Sequence, residues 1–229
     1  MADLSMFEER IGYTFASKAL LEQAFTHSSY LNENRTPGRQ HNERLEFLGD
    51  AVLELVVTEF LFAKYPESPE GDLTAYRAAL VNTMSIADAA TKLGMNDYLL
   101  LSRGESRDLG RARQIILANA FEALIGAIYL DAGYAPAQKF IEAQLFHKAD
   151  DVVEKKLWQD AKSKLQEIAQ ETLGVTPTYE LVNQSGPDHD KRFVVAARIG
   201  AERLAQGMGR SKQEAEQDAA QKALAAKGW

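Results

Sequence analysis

The sequence predicts two domains of different class, an all-α unit followed by a small α+β unit with the element order α-β-β-β-α. Three observations lead there. Through residue 154, apolar positions recur at the helical period of about 3.6, and no run of alternating β-branched residues interrupts them. In the last part of the chain, short strand-like runs are separated by turns rich in glycine and proline. The charge also divides. Residues 160–229 carry ten basic and ten acidic side chains, whereas residues 1–159 carry sixteen and twenty-three, so the whole excess of −7 lies in the first part. The expected domains are therefore 1–154 and 160–229, joined by a linker at 155–159 where Asp-Asp-Val-Val-Glu-Lys-Lys breaks the apolar rhythm.

Composition narrows the function before any motif is considered. With 229 residues, 45% hydrophobic and 26% charged, the chain can bury a real core and is not generally disordered. The absence of cysteine excludes a disulfide scaffold, a thiolate metal site and a thiol nucleophile. The negative balance argues against a generic polycation coating nucleic acid. The first ten residues hold three acids and no long apolar run, so a secretory signal is not expected. The most apolar stretch, Ile115–Leu130, contains Asn119 and Glu122 and falls short of the ~20 residues that span a bilayer. It reads as a buried helix; no membrane partner and a cytoplasmic location are the expectations.

In chain order, Leu45, Leu48, Val52, Leu55 and Val56 follow the helical period, and further helices are expected over Leu73–Val81, Ser85–Leu93, Arg113–Leu130 and Pro136–Val153. Gly94 and Gly133 stand where helix C-termini belong. In the second unit a helix over Lys162–Leu173 ends at Gly174. Strands follow at Tyr179–Asn183, Arg192–Ile199 and Ala201–Gly207, then a long helix over Ser211–Ala226.

The strongest chemical signal is Asn42-Glu43-Arg44-Leu45-Glu46-Phe47-Leu48-Gly49-Asp50. At about 100° per residue, Glu43, Glu46 and Asp50 fall within roughly one-sixth of the helix circumference. Such a stripe is ordinarily a solvated face. Here Phe47 and Leu53 flank it with apolar surface, and no cation stands on it at helical spacing. A second helix carries Glu122 as the one charge between Gln114 and Leu130, with Asn119 a turn before it and Gly126 a turn after. A lone carboxylate in an apolar helix is expensive unless it is paired or bound to metal. Pairing with Arg44 or Arg77 is the alternative that spacing leaves open. Oxygen-only donors suit Mg²⁺, and none of the four histidines lies at helical spacing from these acids, which disfavours a di-iron bundle. A carboxylate-held metal without a nucleophilic triad points to hydrolysis or transfer at phosphorus.

The block Asn42–Asp50 with Ala51-Val52-Leu53 resembles the signature helix of ribonuclease III. The resemblance extends to Thr26-His27-Ser28-Ser29, Glu70-Gly71-Asp72 and Leu117–Gly126. It implies that Glu46 and Glu122 are metal ligands, that Asp50 is an essential catalytic acid alongside Glu122, and that Glu43 and Glu70 are supporting acids. It also implies a homodimer that hydrolyses double-stranded RNA with Mg²⁺ (Mn²⁺ substituting), in processing rRNA and mRNA precursors. The ends would be 5′-phosphate and 3′-hydroxyl with short 3′ overhangs. Cutting both strands of a duplex suits a two-fold dimer, and Phe47 is either a knob entering the partner subunit or a core side chain. One departure stands out: Asn119 occupies the family's usual acid position, which implies weaker metal affinity at a third ligand. The alternative function is a double-stranded RNA-binding scaffold whose cleavage is weakened or lost through Asn119.

The second unit resembles a double-stranded RNA-binding domain. Such modules read the shape of A-form RNA over about 16 bp. By that resemblance Gln166 and Glu167 on the first helix and His189 in the loop between strands one and two reach the minor grooves. Arg210, Ser211, Lys212 and Gln213, after the Gly207-x-Gly209 turn, meet phosphates at a helix N-terminus.

Overall fold

Two long helices cross at the centre of the first unit. The computed structural model describes residues 3–34, 37–107, 110–154, 161–187 and 191–229, and contacts divide the chain into the units Met1–Trp158 and Gln159–Trp229. In the first unit the helices are α1 (Leu4–Ile11), α2 (Lys18–Ala24), α3 (Ser28–Glu33), α4 (Glu43–Lys64), α5 (Glu70–Val81), α6 (Thr83–Lys92), α7 (Arg111–Ala132), α8 (Tyr134–Leu145) and α9 (Ala149–Glu154). Helices α4 and α7 form its most extensive packing pair. Leu45, Val52, Leu53, Val56, Val57 and Leu61 give α4 a broad buried face. Helix α7 is buried on almost every side by Ile116, Leu117, Phe121, Leu124, Ile125 and Ile128, as expected of a helix without a polar stripe.

Helix α7 is longer than the sequence suggested. At 22 residues it is long and apolar enough to cross a membrane, but most of it is covered by the surrounding helices. Its ends are set by groups that periodicity does not register: it starts after Gly110 and stops at Gly133, whose φ of +83° is left-handed. The helix expected over Pro136–Val153 is instead two, α8 and α9, separated by a 3₁₀ turn at Phe146–Lys148. Tertiary contacts override local periodicity there: Phe146 stacks on Phe60 at 3.7 Å, and Lys148 Nζ donates to the Ser85 carbonyl at 3.0 Å. Helices α5 and α6 begin earlier than their apolar rhythm, after Pro69 and after Asn82, whose side chain accepts from Ser85 N.

Buried polar contacts fix the start of α4. Asn42, 1% exposed, donates its backbone N–H to Thr26 O (2.9 Å) and its side-chain amide to Ala24 O (3.2 Å), while its own carbonyl accepts from Glu46 N. Thr26 forms an isolated parallel bridge with Leu100, and Ser29 Oγ accepts from Ser102 N at 3.1 Å. The segment Thr26–Ser29 thus joins the α4 N-terminus to the loop after α6. At the opposite end, Asp131 accepts from Ala16 N, Ser17 N and Tyr13 Oη at 2.9, 2.8 and 2.7 Å.

The second unit has the predicted order: α10 (Ala161–Leu173), β1 (Thr178–Ser185), β2 (Arg192–Ile199), β3 (Glu202–Gly209) and α11 (Lys212–Lys227), with an antiparallel sheet β1-β2-β3. Leu165, Ala197, Ala219, Ala220, Ala223 and Leu224 form its core. Gly207 and Gly209 have no room for a side chain, since a Cβ would lie 2.1 Å from Ala219 N or 2.5 Å from Ala215 N. These glycines let α11 lie against β3, so their role is packing.

Candidate active site

The crossing of α4 and α7 is a contact between backbones. A Cβ on Gly49 would lie 1.7 Å from the Glu122 carbonyl oxygen, and one on Gly126 would lie 2.2 Å from the Leu45 carbonyl oxygen. Glycine at both positions lets the helices touch, which brings the Glu46–Asp50 turn of α4 against the Asn119–Glu122 turn of α7.

The electrostatics follow from that approach. Glu122 is half-buried, and its carboxyl is pushed up to about 7, first by burial and then by the charges of Asp50, Glu46 and Glu54. Glu46, also half-buried, is raised by burial and by Glu43 and Asp50. Asp50 and Glu43 are exposed, and Asn119 is half-buried on the same side of α7 as Glu122. Among the described residues, no lysine, arginine or histidine pairs with Glu46, Asp50 or Glu122. Arg77 bonds Glu54 instead, at 2.7 Å, and Arg44 is exposed, so neither neutralises Glu122. Glu122 is less buried than its apolar helix suggested.

Glu54 escaped the sequence reading although its signal was present. It stands four residues after Asp50 and continues the stripe of Glu43, Glu46 and Asp50 along α4. Glu70 lies apart from these acids. Exposed at the first residue of α5, it accepts from Thr74 Oγ1 at 3.1 Å and is not among the charges acting on Glu46 or Glu122. Phe47 is 82% exposed, which rejects core packing within the chain.

Does this donor set fit a divalent cation? Among the described residues no three acidic or histidine side chains close around one point. Mg²⁺, however, is commonly held by one or two carboxylates and completes its shell with water and substrate phosphate. Glu46 and Glu122, each raised first by burial and then by crowding with like charge, and lacking a cationic partner among the described residues, supply those carboxylates. Asp50 and the Asn119 amide flank them. The set fits a hard dication.

Residues 17–149 match the family model described as ribonuclease-III-like, and residues 161–227 match the double-stranded RNA binding motif. The chain belongs to the ribonuclease III family of endoribonucleases. Ribonuclease 3 of Bacillus velezensis is 49% identical over 219 residues, covering 96% of this chain and 88% of that protein. Its counterpart in Geobacter metallireducens is 45% identical over 219 residues, covering 95% of this chain and 89% of that protein. The ribonuclease III nuclease domain of Campylobacter jejuni aligns with a TM-score of 0.56 at 43% identity, covering 62% of this chain and 98% of that one; its structure was described for flexibility in a region involved in dimer formation.

In this ribonuclease III chain the second unit presents polar side chains on α10 and at the start of α11. On α10, Gln166 and Glu167 are exposed while Leu165 and Ala169 turn into the core. Arg210, Ser211, Lys212 and Gln213 are all exposed at the start of α11. Ser211 Oγ caps that helix by accepting from Glu214 N at 3.1 Å, and the Glu214 carboxylate accepts from Arg210 N at 2.9 Å. His189 and the linker 155–159 lie outside the described residues.

Proposed function

We propose that the chain works as a homodimer that hydrolyses both strands of double-stranded RNA with Mg²⁺. The ends left would be 5′-phosphate and 3′-hydroxyl with short 3′ overhangs, in cytoplasmic processing of rRNA and mRNA precursors. The observation that carries this reading is the backbone contact at Gly49 and Gly126, which faces Glu46 and Asp50 with Glu122 and leaves their charge unpaired.

Glu46 and Glu122 would hold the ion, with the Asn119 amide and Asp50 beside them. Bound there, a divalent cation neutralises charge on the scissile phosphate and lowers the pKa of the attacking water. Asp50, exposed beside the two half-buried acids, would take a proton from the attacking water or orient it. Glu43 extends the negative surface along the stripe, and Glu70 stands further off as a supporting acid. In the second unit, Gln166, Glu167 and His189 would reach minor grooves, and Arg210, Ser211, Lys212 and Gln213 would meet phosphate.

Dimerisation is supported by the α4 surface beside the acids. Phe47, Leu55 and Phe62 are 82%, 51% and 71% exposed and lie on one side of that helix. A two-fold pair would give each strand of a duplex its own cluster.

The test incubates the full chain with long duplex RNA at varied Mg²⁺ and maps both ends of the products. Cleavage that disappears in Glu122→Gln, with binding retained, supports the reading. The rival reading, a binding scaffold without cleavage, draws on Asn119 contributing no charge where an acid is usual. It predicts duplex binding without cutting, indifferent to Glu122→Gln.

A further inference from the structure

The start of α11 is the phosphate-meeting turn of the proposed function, yet it is rich in acid. Between Arg210 and Lys222 three basic residues stand against Glu214, Glu216 and Asp218, and all three acids lie in the first two turns of the helix. Carboxylates in that place repel the RNA backbone, so their presence needs another cause. Each of them is engaged. Glu216 accepts from Lys162 Nζ of α10 at 2.6 Å. Asp218 accepts from Met208 N and from Lys222 Nζ, both at 2.7 Å. Glu214 accepts from Arg210 N at 2.9 Å. Glu214 and Asp218 are one turn apart on α11, and Met208 and Arg210 are two residues apart at the end of β3, so carboxylates on one helix face hold alternate backbone amides. Gly209 lets them come that close, since a Cβ there would lie 2.5 Å from Glu214 Cβ.

The bond made by Glu214 differs from an ordinary cap. A capping box returns the carboxylate of the third helical residue to the N–H of the N-cap residue. Here Ser211 is the N-cap and its Oγ accepts from Glu214 N at 3.1 Å, as in that motif, but the carboxylate reaches one residue further back, to Arg210 N. The turn from Arg210 to Glu214 is thereby closed at both ends. The N–H groups of Lys212 and Gln213 stay without an acceptor among the described residues, as first-turn donors do until something outside the helix supplies one.

We propose that Glu214 is a positioning residue for RNA binding. Its carboxylate fixes the turn of Arg210, Ser211, Lys212 and Gln213 in the shape that meets phosphate, and this ordering outweighs the repulsion that its charge adds. The inference rests on the RNA-binding reading of that turn and deepens it by naming the side chain that holds the turn in place.

The experiment measures binding of the full chain to an RNA duplex of about 16 bp, the span of one such module, in chelator so that the strands stay uncut. Fluorescence anisotropy at several salt concentrations gives both Kd and the number of phosphate contacts. Glu214→Gln keeps an acceptor for Arg210 N and removes the charge, so it binds as tightly as the parent or up to about fivefold tighter at low salt. Glu214→Ala removes both. It binds about threefold to tenfold more weakly than the parent, and its salt slope falls by about one contact. Glu214→Asp keeps the charge but is a methylene too short for Arg210 N, and it follows the alanine variant. Equal tightening in the glutamine and alanine variants overturns the proposal, because only charge would then matter. Weakening of Glu214→Gln to the level of Glu214→Ala overturns it as well, since the carboxylate charge itself would be the contact. So does unmoved binding in all three. A purely structural cap would lower the melting temperature and the active fraction of Glu214→Ala while leaving its salt slope at the parent value, and that result also sinks the idea. If Glu214→Ala does not fold, Glu214→Gln and Glu214→Asp still decide by their opposite effects. Lys212→Ala separates this inference from the reading beneath it. Should that variant bind like the parent, the turn does not meet phosphate and both fall; should it bind more weakly while the Glu214 variants match one another, only the inference falls.

Discussion

Adding one methyl group at Gly49 puts a number on the helix contact that assembles the cluster. In Gly49→Ala the new carbon would begin 1.7 Å from the Glu122 carbonyl oxygen, 2.6 Å from its carbon and 2.8 Å from Gly126 N. All three are backbone atoms, so no side chain can swing aside, and α4 and α7 must separate by about 1.5 Å to restore ordinary contact. Overpacking of this kind costs about 1–3 kcal/mol and sometimes more; with backbone on both sides the upper end applies. Alanine returns about 1 kcal/mol of helix propensity. The net loss is about 2 kcal/mol, or a fall of about 4–8 °C in the melting temperature of the first unit. Differential scanning calorimetry in chelator measures it without involving metal or RNA. Gly71→Ala is the control: it adds the same atom to α5, where nothing lies within 4 Å, and should raise stability by about 0.5 kcal/mol. Since a misplacement of about 1 Å costs roughly a hundredfold in rate, Gly49→Ala should also lose about two decades of duplex cleavage. If Gly49→Ala melts at or above the parent, the backbone contact is not what holds the two helices together.

Other outcomes follow from the same site. The Glu122 carboxyl, raised to about 7 from an ordinary 4.5, favours the protonated form in the fold, so its burial costs nothing at low pH and lowers stability as pH rises from about 4.5 to 7. The shift caps that loss at about 3 kcal/mol, and solvent screening at a half-buried group reduces it to about 1–2 kcal/mol. In chelator, Glu122→Gln should therefore melt above the parent at pH 8 and match it at pH 4.5; equal melting curves at both pH values contradict the raised Glu122 carboxyl, and with it both the burial and the charge crowding. Asn119→Asp adds a carboxylate a turn from Glu122 and should lower the Mg²⁺ needed for half-maximal cleavage by about threefold to tenfold. An unchanged requirement means that Asn119 does not face the ion. Lys212→Ala should weaken duplex RNA binding evenly across sequences and reduce the salt dependence by about one phosphate contact. A gel-shift series at several salt concentrations reads this directly, and an unaltered slope removes Lys212 from the RNA surface.

Much of this was legible in the chain because the relevant signals are local. The rhythm of Leu45, Val52 and Val56 marks α4, and β2 was bounded correctly at Arg192–Ile199 because a charged residue and a glycine delimit an apolar run. What escaped depends on partners distant in sequence. Nothing around Phe146 announces the break between α8 and α9, because its cause is the ring of Phe60. The opposition of Glu46 and Glu122 could be suspected from Gly126, but the reciprocal role of Gly49 needed the crossing itself. Gly207 and Gly209 read as a turn ahead of Arg210, but that they make room for α11 against β3 needed the packing of that helix. Arg77 could be imagined beside Glu122, yet only the α4–α5 packing gives it to Glu54.

The clasp made by Asp131 has a consequence for how the unit comes into being during translation. Its carboxylate closes on the backbone of Ala16 and Ser17 across 115 and 114 residues of chain. As the polypeptide leaves the ribosome, the first helices cannot reach their final seating until the end of α7 has emerged. The bonds from Ala16 and Ser17 to Asp131 must therefore wait through most of the unit's synthesis.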